Sequence, residues 1–313
     1  MDLLPMGVDI LPPSDDRIFK LILTSPESKP VLIDLIAALI GRPVIDAVIR
    51  NNELPLDDTE EKAERLDVNC RIDDGSQIDL EMQASHMGET GRGHKNIKGK
   101  SVYYLCDLHS SQNSKGRRYD ELAQTYQVTF CSYTVFPNLP DYVNSFSMRH
   151  DVTNKLLSDA LHVIYVELSK LNEIIKKSVD EMPDLEKWAI FFRYADIPEY
   201  RGIVNKVIKS KEALQMAGNL LMSVSTNERE RAILRSRRMY QSDLESNLAT
   251  AEKRGELRGK RIGEQKKALA IAAIARNLME MNVPPEQIIT ATGLTREEIE
   301  KLKIENSKAE DLN

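Results

Sequence analysis

The sequence predicts a mixed α/β domain with a central sheet flanked by helices, followed by a helical C-terminal extension. Two amphipathic helical patterns open the chain, residues 66–83 alternate between apolar and polar side chains, and the chain becomes strongly charged and helical near residue 246. Helical and strand patterns in this order are typical of a domain in which helices pack on a sheet. We therefore expect one domain over residues 1–245 and a helical tail over residues 246–313.

The composition is that of a globular chain, with 313 residues of which 41% are hydrophobic and 29% are charged. No apolar window reaches the length of a membrane helix, and the first residues lack the layout of a signal peptide, so we expect a cytoplasmic protein. A net charge of −6 excludes a protein whose whole surface coats nucleic acid, but it allows a local basic face. Residues 91–100 and 229–240 could each supply such a face.

The three cysteines, Cys70, Cys106 and Cys131, are odd in number and widely spaced. This pattern indicates neither a disulfide framework nor a thiolate zinc site. We expect all three to be small core residues.

The first 41 residues predict two helices separated by the turn-rich sequence SPESKP. Ser14 or Asp15 can cap the first helix, and Gly41 can end the second. Asp16 and Lys20 lie four residues apart on the first helix, where side chains at this spacing are neighbours. They form either a surface ion pair or part of a functional site.

Residues 66–83 predict a β-hairpin with one apolar and one polar face, because apolar side chains occupy the even positions and polar side chains the odd ones. The loop at 73–75 ends in Gly75, which suits a three-residue hairpin loop with a left-handed glycine. Such a loop pairs Ile72 with Ser76. A two-residue loop would shift the register by one and exchange the faces.

With the three-residue loop, Asp67 lies directly opposite Glu81 and diagonal to Gln83 on the polar face, which we expect to be open to solvent. Like charges opposite one another destabilise a sheet unless a cation lies between them. Mg²⁺ uses one or two carboxylates, water and phosphate oxygens, and can promote phosphate hydrolysis. The alternative is an exposed strand face on which Arg71 and Asp79 form ordinary cross-strand pairs.

Farther along the chain, residues 100–122 predict a helix with a break near 114–116, and residues 123–138 predict a buried strand. The pattern of residues 141–250 predicts mostly helix, apart from a strand-like stretch at 161–168.

The tail carries Gly255, Gly259 and Gly263 on one helical stripe, which indicates a close helix contact or a pliable joint. Residues 283–302 then form a helix-turn-helix pattern in which Thr295 and Glu298 make a capping box. This pair could enter a DNA major groove. Its second helix is acidic, however, which favours a partner-binding or dimerising role and a homo-oligomer formed through the C-terminal helices.

Several short strings together resemble the Rpn family of recombination-promoting nucleases, a group of transposase-like proteins in the PD-(D/E)XK superfamily. The strings are DRIFK at 16–20, LDV at 66–68, DLEMQ at 79–83, YY at 103–104, and then Gln112, Gly116 and Tyr119. The resemblance covers roughly residues 10–240. It implies a restriction-endonuclease-like core and a cytosolic bacterial DNA endonuclease that depends on a divalent metal ion such as Mg²⁺, with little sequence selectivity and a role in recombination or mobile DNA.

By the same resemblance, Asp67 and Glu81 match the two acids of the motif as metal ligands. Independently of the resemblance, Asp16 is a candidate for a further acid and metal ligand if its helix crosses the edge of the sheet. Gln83 occupies the lysine position of the motif, which leaves open the group that assists the attacking water; Lys20 is an alternative. Lys100 stands where relatives carry an arginine, so it would contact phosphate as a point charge. The expected DNA-binding residues are Lys100, Arg92, Lys95, Arg117 and Arg118.

Two other functions fit the same residues. One is a catalytically inactive nuclease fold that serves as a DNA- or protein-binding module, and the other is a nuclease effector directed at RNA. The 2′-hydroxyl contact that separates RNA from DNA leaves no sequence motif.

Overall fold

The computed structural model describes residues 2–50, 68–84, 96–112 and 118–310. The chain divides into two units, Met1–Arg238 and Met239–Asn313. The first unit contains a mixed sheet with helices on both faces, and the second is helical, as the sequence predicts. No helix in these described ranges combines the length and apolar character needed to cross a membrane.

The two predicted N-terminal helices are confirmed as α1 (Asp16–Thr24) and α2 (Lys29–Ile40). The Asp15 carboxylate accepts a hydrogen bond from the Arg17 backbone N–H at 3.0 Å and thereby caps α1. Gly41 ends α2 with a φ of 69°, in the left-handed region that glycine adopts at little cost.

The sheet of the described residues has six strands in the order β1-β2-β3-β4-β6-β5. β3, β4 and β6 are parallel, and the other neighbours are antiparallel. The strands are β1 (Ala47–Ile49), β2 (Val68–Ile72), β3 (Gln77–Gln83), β4 (Thr125–Cys131), β5 (Val143–Arg149) and β6 (Leu156–Glu167).

The predicted hairpin register is confirmed. Gly75 has a φ of +90°, and the Ile72 backbone N–H donates to the Ser76 carbonyl at 3.0 Å. Val68 pairs with Leu80, and the register continues unchanged along the two strands. Asp67, the residue before β2, lies outside the described residues.

The expectation that the polar face of the hairpin is open to solvent was wrong. Asn69, Asp79 and Glu81 are buried, and Gln83 is half-buried. The reason is that β3 is an interior strand with β4 on its other side, and helix α3 (Ile97–Ser110) packs on β4 and β6 and meets Glu81 through Lys100. The apolar face of the hairpin is buried as well, in the main core.

Two further expectations need correction. Residues 141–168 form the antiparallel pair β5 and β6, whereas a largely helical segment with one short strand was expected. β5 is an edge strand with exposed side chains, so its pattern lacks the apolar run of a buried strand. Cys70 and Cys131 are buried as expected, but Cys106 is exposed on α3.

The remaining helices of the first unit are α4 (Asp184–Tyr194), α5 (Arg201–Lys209) and α6 (Glu212–Thr226). They pack with α1 and α2 on the apolar face of the sheet around an aromatic cluster. The Phe19 ring lies 5.6 Å from the Phe130 ring and 5.1 Å from the Phe192 ring, and Trp188 stacks on Phe192. This cluster joins α1 and α4 to β4 through rings that are fully buried.

The second unit begins within α7 (Glu228–Glu280) and ends with α8 (Pro285–Thr292) and α9 (Arg296–Glu310). Gly293 has a φ of 72°, and the Thr295 backbone N–H donates to Glu298 Oε2 at 2.8 Å, which confirms the predicted turn and capping box. Ala275, Ile288 and Ile299 form the small core of this unit. In the described part of the chain, a Cβ added to any of the three stripe glycines would meet no atom within 4 Å, so a close contact between helices of this part does not account for the stripe.

A buried ion pair connects the end of β6 to the segment between β4 and β5. Glu167 is fully buried and accepts hydrogen bonds from the backbone N–H groups of Val135 and Phe136, from Asn144 Nδ2 at 2.7 Å and from Lys170 Nζ at 2.5 Å. Lys170 also donates to the carbonyl groups of Phe136 and Leu139. The buried charge is therefore paired with a cation and accepts hydrogen bonds from backbone and side-chain donors.

Replacing Glu167 with alanine should lower the free energy of unfolding by about 3–5 kcal/mol, because it leaves the Lys170 ammonium without its counter-charge and the backbone N–H groups of Val135 and Phe136 without an acceptor. Urea denaturation at neutral pH would measure this loss. The control is Glu173→Ala, which removes an exposed partner of Lys176 and should change stability by less than about 0.5 kcal/mol. Equal effects of the two substitutions would contradict the prediction.

Candidate functional site

The predicted acid Glu81 lies on β3 and faces helix α3. Its side chain is buried, and Lys100 Nζ from α3 lies 2.5 Å from Glu81 Oε2. Gln83 Nε2 donates to the same oxygen at 3.2 Å. The Lys100 ammonium also lies 4.9 Å from the centre of the Tyr104 ring, and its side chain is 36% exposed. A cationic group at the rim of the site therefore pairs with a buried carboxylate.

Helix α3 brings Lys100 to this position because one side of the helix packs on the sheet. Ile97, Ser101, Tyr104 and Leu108 recur every three or four residues and are buried. Lys100 lies at the edge of this buried side, one helical turn before Tyr104.

A group of hydroxyl side chains beside Glu81 was not predicted. The Tyr165 hydroxyl donates to Ser101 Oγ at 2.8 Å, and Ser101 Oγ lies 3.5 Å from Thr129 Oγ1. Thr129 is the partner of Glu81 in the parallel register of β3 and β4. Polar residues alternate in the sequence TYQVTFC, which indicates a polar face on β4. The sequence alone does not reveal that β4 lies beside β3.

A second polar row lies next to Glu81 on the same face. In the sheet register, Asp79 lies opposite Asn69 on β2 and opposite Gln127 on β4, and all three side chains are buried. The sequence indicated the polar character of Asn69 and Asp79, whereas Gln127 was assigned only to a buried strand. The site therefore lies in a polar layer that crosses the three strands β2, β3 and β4.

Gln112 connects the end of α3 to the start of β4. Its Nε2 donates to the Ala123 carbonyl at 3.0 Å and to Thr125 Oγ1 at 2.9 Å, while its Oε1 accepts from the Ala123 N–H at 3.0 Å. His109 Nδ1 lies 2.9 Å from the same Thr125 hydroxyl, and burial lowers the pKa of His109. These contacts make Gln112 a positioning residue for α3.

Asp16 and Lys20 lie on α1, which packs on the apolar face of the sheet through Phe19, whereas Glu81 points to the opposite face. Asp16 Oδ2 accepts a hydrogen bond from Arg237 Nη2 at 2.7 Å. The described contacts of Asp16 therefore join α1 to α7 and do not reach Glu81.

Among the expected DNA-binding residues, Lys100 contacts Glu81, and the exposed Arg118 forms an ion pair with Asp120. In the other proposed basic stretch, Arg231 binds Asp9. The remaining predicted site residues, Asp67, Arg92, Lys95 and Arg117, lie outside the described residues.

The predicted metal site includes Asp67, so the described residues contain only part of it. Within those ranges, no group of three acidic, histidine or cysteine side chains could hold a metal ion. Glu81 and Gln83 nevertheless supply the oxygen donors that hard divalent cations prefer, and the contact of Glu81 with an ammonium group shows that this carboxylate accommodates a cation.

The sheet, its hairpin and the helices on both faces define an α/β fold of the PD-(D/E)XK type. A family model described as PD-(D/E)XK nuclease family transposase matches residues 13–251, and the chain belongs to this family. Comparison with curated proteins and with solved structures gives no match. Membership indicates a nuclease or transposase-like function with DNA as the substrate, and nucleases of this superfamily generally use divalent metal ions.

The Asp16–Arg237 contact makes stability depend on pH. Burial acts to raise the pKa of Asp16, but the hydrogen bond and the charge of Arg237 outweigh it and hold this pKa below its ordinary value. A lowered pKa in the folded state means that the contribution to stability is present above the unfolded-state pKa and is lost as the pH falls through the folded-state pKa.

Asp16→Asn should therefore lower the free energy of unfolding at pH 7 by at most about 1 kcal/mol, because the side chain is partly exposed and the charge is screened. The difference from the wild type should shrink as the pH falls below the ordinary range of an aspartate. Denaturant titrations along a pH series would measure it. Asp151→Asn, at an exposed aspartate, is the control, and a difference that persists unchanged into strong acid would refute the assignment.

Proposed function

We propose that this protein is a metal-dependent endodeoxyribonuclease that hydrolyses phosphodiester bonds with low sequence specificity and acts in recombination or on mobile DNA. The observation that carries the proposal is the placement of Glu81, a buried carboxylate on an interior strand that meets the cationic group of Lys100 at 2.5 Å. A carboxylate in such a site is costly to bury, which supports a functional role.

Asp67 and Glu81 are the proposed metal ligands, and the hairpin register supports their pairing because Val68 and Leu80, the next residues toward the loop, are partners. A divalent ion such as Mg²⁺ bound there would polarise the scissile phosphate and make water a stronger nucleophile. Gln83, on the same face as Glu81, can accept a hydrogen bond from the attacking water and orient it, but its amide cannot take up a proton.

Lys100 is proposed to supply the positive charge that the motif lysine supplies elsewhere in the superfamily. Gln83 occupies the motif position, and both Gln83 Nε2 and Lys100 Nζ contact Glu81 Oε2. A half-exposed ammonium group beside this carboxylate can also bind a phosphate oxygen of the substrate. The positive charge of the proposed site is therefore carried by Lys100 on α3, and not by a residue on β3.

The other residues predicted from the sequence also have proposed roles. Asp16 as a further metal ligand and Lys20 as a catalytic residue remain proposals, and the packing of α1 on the apolar face makes Lys100 the stronger candidate for the missing charge. Arg92, Lys95, Arg117 and Arg118 are proposed phosphate contacts. We also propose a cytoplasmic location and a homo-oligomer formed through the C-terminal helices.

Purified protein should nick supercoiled plasmid in the presence of Mg²⁺ but not with EDTA, and Asp67→Ala or Glu81→Gln should abolish the nicking. Loss should exceed about 100-fold, since each substitution removes a proposed ligand of the ion that stabilises the transition state. Gel electrophoresis of the plasmid measures the rate. Glu173→Gln, at an exposed glutamate, is the control. Cleavage that survives both site substitutions would refute the site, and no cleavage with any divalent ion would favour the inactive binding module.

The charge assigned to Lys100 can be tested by moving it. Lys100→Gln should reduce the cleavage rate by on the order of 100-fold, because it removes the ammonium group proposed to stabilise the reacting phosphate. Adding Gln83→Lys to that variant should recover much of the rate by restoring the ammonium from β3. The control is Lys98→Gln, which lies on the same helix with its ammonium 4.4 Å from the Phe136 ring centre. Failure of Gln83→Lys to rescue a folded Lys100→Gln variant would contradict this role.

A further inference from the structure

The segment 253–267 of helix α7 is strongly basic and lies beyond residue 251, where the family match ends. It contains seven lysines and arginines against two glutamates, although the whole chain has a net charge of −6. Every residue from 253 to 270 is exposed. Membership of the nuclease family therefore assigns no function to this part of the helix.

Three arginines of the segment lie along one side of the helix. At about 100° per residue, Arg254, Arg258 and Arg261 fall within about 60° of one another around the helix axis. We call these three residues the arginine stripe. None of them forms an ion pair with a carboxylate in the described part of the chain, whereas Arg231 and Arg237 earlier in α7 bind Asp9 and Asp16. The stripe thus presents three exposed guanidinium groups.

The chemistry of the stripe fits phosphate groups arranged in a row. A guanidinium group donates two parallel hydrogen bonds to a phosphate, which a lysine cannot do. The rise of the helix separates Arg254 from Arg261 by about 10 Å along the axis. One strand of duplex DNA places a phosphate about every 3.4 Å along its axis, so this length spans about three phosphates.

A membrane surface fits the same helix less well. Helices that lie in a lipid interface need a broad apolar face rich in leucine and aromatic side chains. The side of α7 away from the stripe carries Gly255, Gly259 and Gly263, and a Cβ on any of these glycines would meet no described atom within 4 Å. This side has little apolar area to insert among acyl chains.

We propose that the arginine stripe is a binding site for the backbone phosphates of duplex DNA, located in the second unit, whereas Glu81 lies in the first. The stripe binds without reading the base sequence, because its contacts are to phosphate oxygens alone. It retains DNA on the protein whether or not a metal ion is bound at the Glu81 site. This DNA-binding role is separate from the proposed hydrolysis and does not depend on it.

The test uses the full chain in EDTA, so that no cleavage occurs, with a fluorescein-labelled duplex of random sequence titrated at several salt concentrations. The variant Arg254→Gln, Arg258→Gln, Arg261→Gln should lower the slope of log K against log salt by about 2.7, since each phosphate contact contributes about 0.9. At 0.1 M salt its Kd should rise by on the order of 100-fold. Glutamine retains good helix propensity, and circular dichroism verifies that α7 is intact.

The matched control is Lys253→Gln, Lys260→Gln, Lys267→Gln, which makes the same change in net charge on the same helix, about 100–140° around the axis from Arg254. Its slope should fall by less than 1 unit, because these lysines face away from the bound backbone. Equal losses in the two variants would show general attraction by charge and overturn the stripe. An unchanged slope in the arginine variant would overturn it as well.

Two further measurements distinguish DNA binding by the arginine stripe from lipid binding and from nuclease activity. Anionic phosphatidylserine vesicles should bind both the wild type and the arginine variant weakly and equally; loss of vesicle binding in the arginine variant with unchanged DNA binding would assign the stripe to lipid. Absence of plasmid cleavage together with the expected salt slopes would refute the nuclease and leave the DNA site standing. The two proposals therefore fail by different measurements.

Discussion

Lys100 and Glu81 form an ion pair at 2.5 Å between a helix and an interior strand, and the polar side of the molecule is organised around it. Removing a carboxylate from water costs several kcal/mol unless a partner and hydrogen bonds compensate. The compensation comes from Lys100 on α3 and from Gln83 on the same strand. The pair joins α3, which packs on β4 and β6, to the neighbouring strand β3, so the position of one helix controls the electrostatics of the site.

The two faces of the sheet differ: one is packed with apolar side chains, and the other carries the proposed site. On one face, the rings of Phe19, Phe130 and Phe192 pack with the apolar residues of the hairpin and exclude water. On the other face, α3 closes over a polar layer and is held by Gln112 at its end and by Ser101 in its middle. Because strand side chains alternate, the same three strands serve both faces.

Helix α7 uses its basic residues in two ways. Near its start, Arg231 and Arg237 bind acidic residues of the N-terminal segment and tie the helix to the first unit. After the end of the family match, Arg254, Arg258 and Arg261 are exposed and lie along one side of the helix. Arg231 and Arg237 are committed to ion pairs within the first unit, whereas Arg254, Arg258 and Arg261 are available for an external anion.

The sequence by itself determined the features that depend on neighbours in the chain. The helices α1 and α2, the three-residue loop with Gly75 and the common face of Glu81 and Gln83 follow from caps, turn conformation and the two-residue period of a strand. Only the tertiary structure decided that this face is buried, that Thr129 and Gln127 lie beside the hairpin, and that Lys100 meets Glu81. Those contacts join segments far apart in sequence, and their pairing is set by packing and desolvation, which no local pattern encodes.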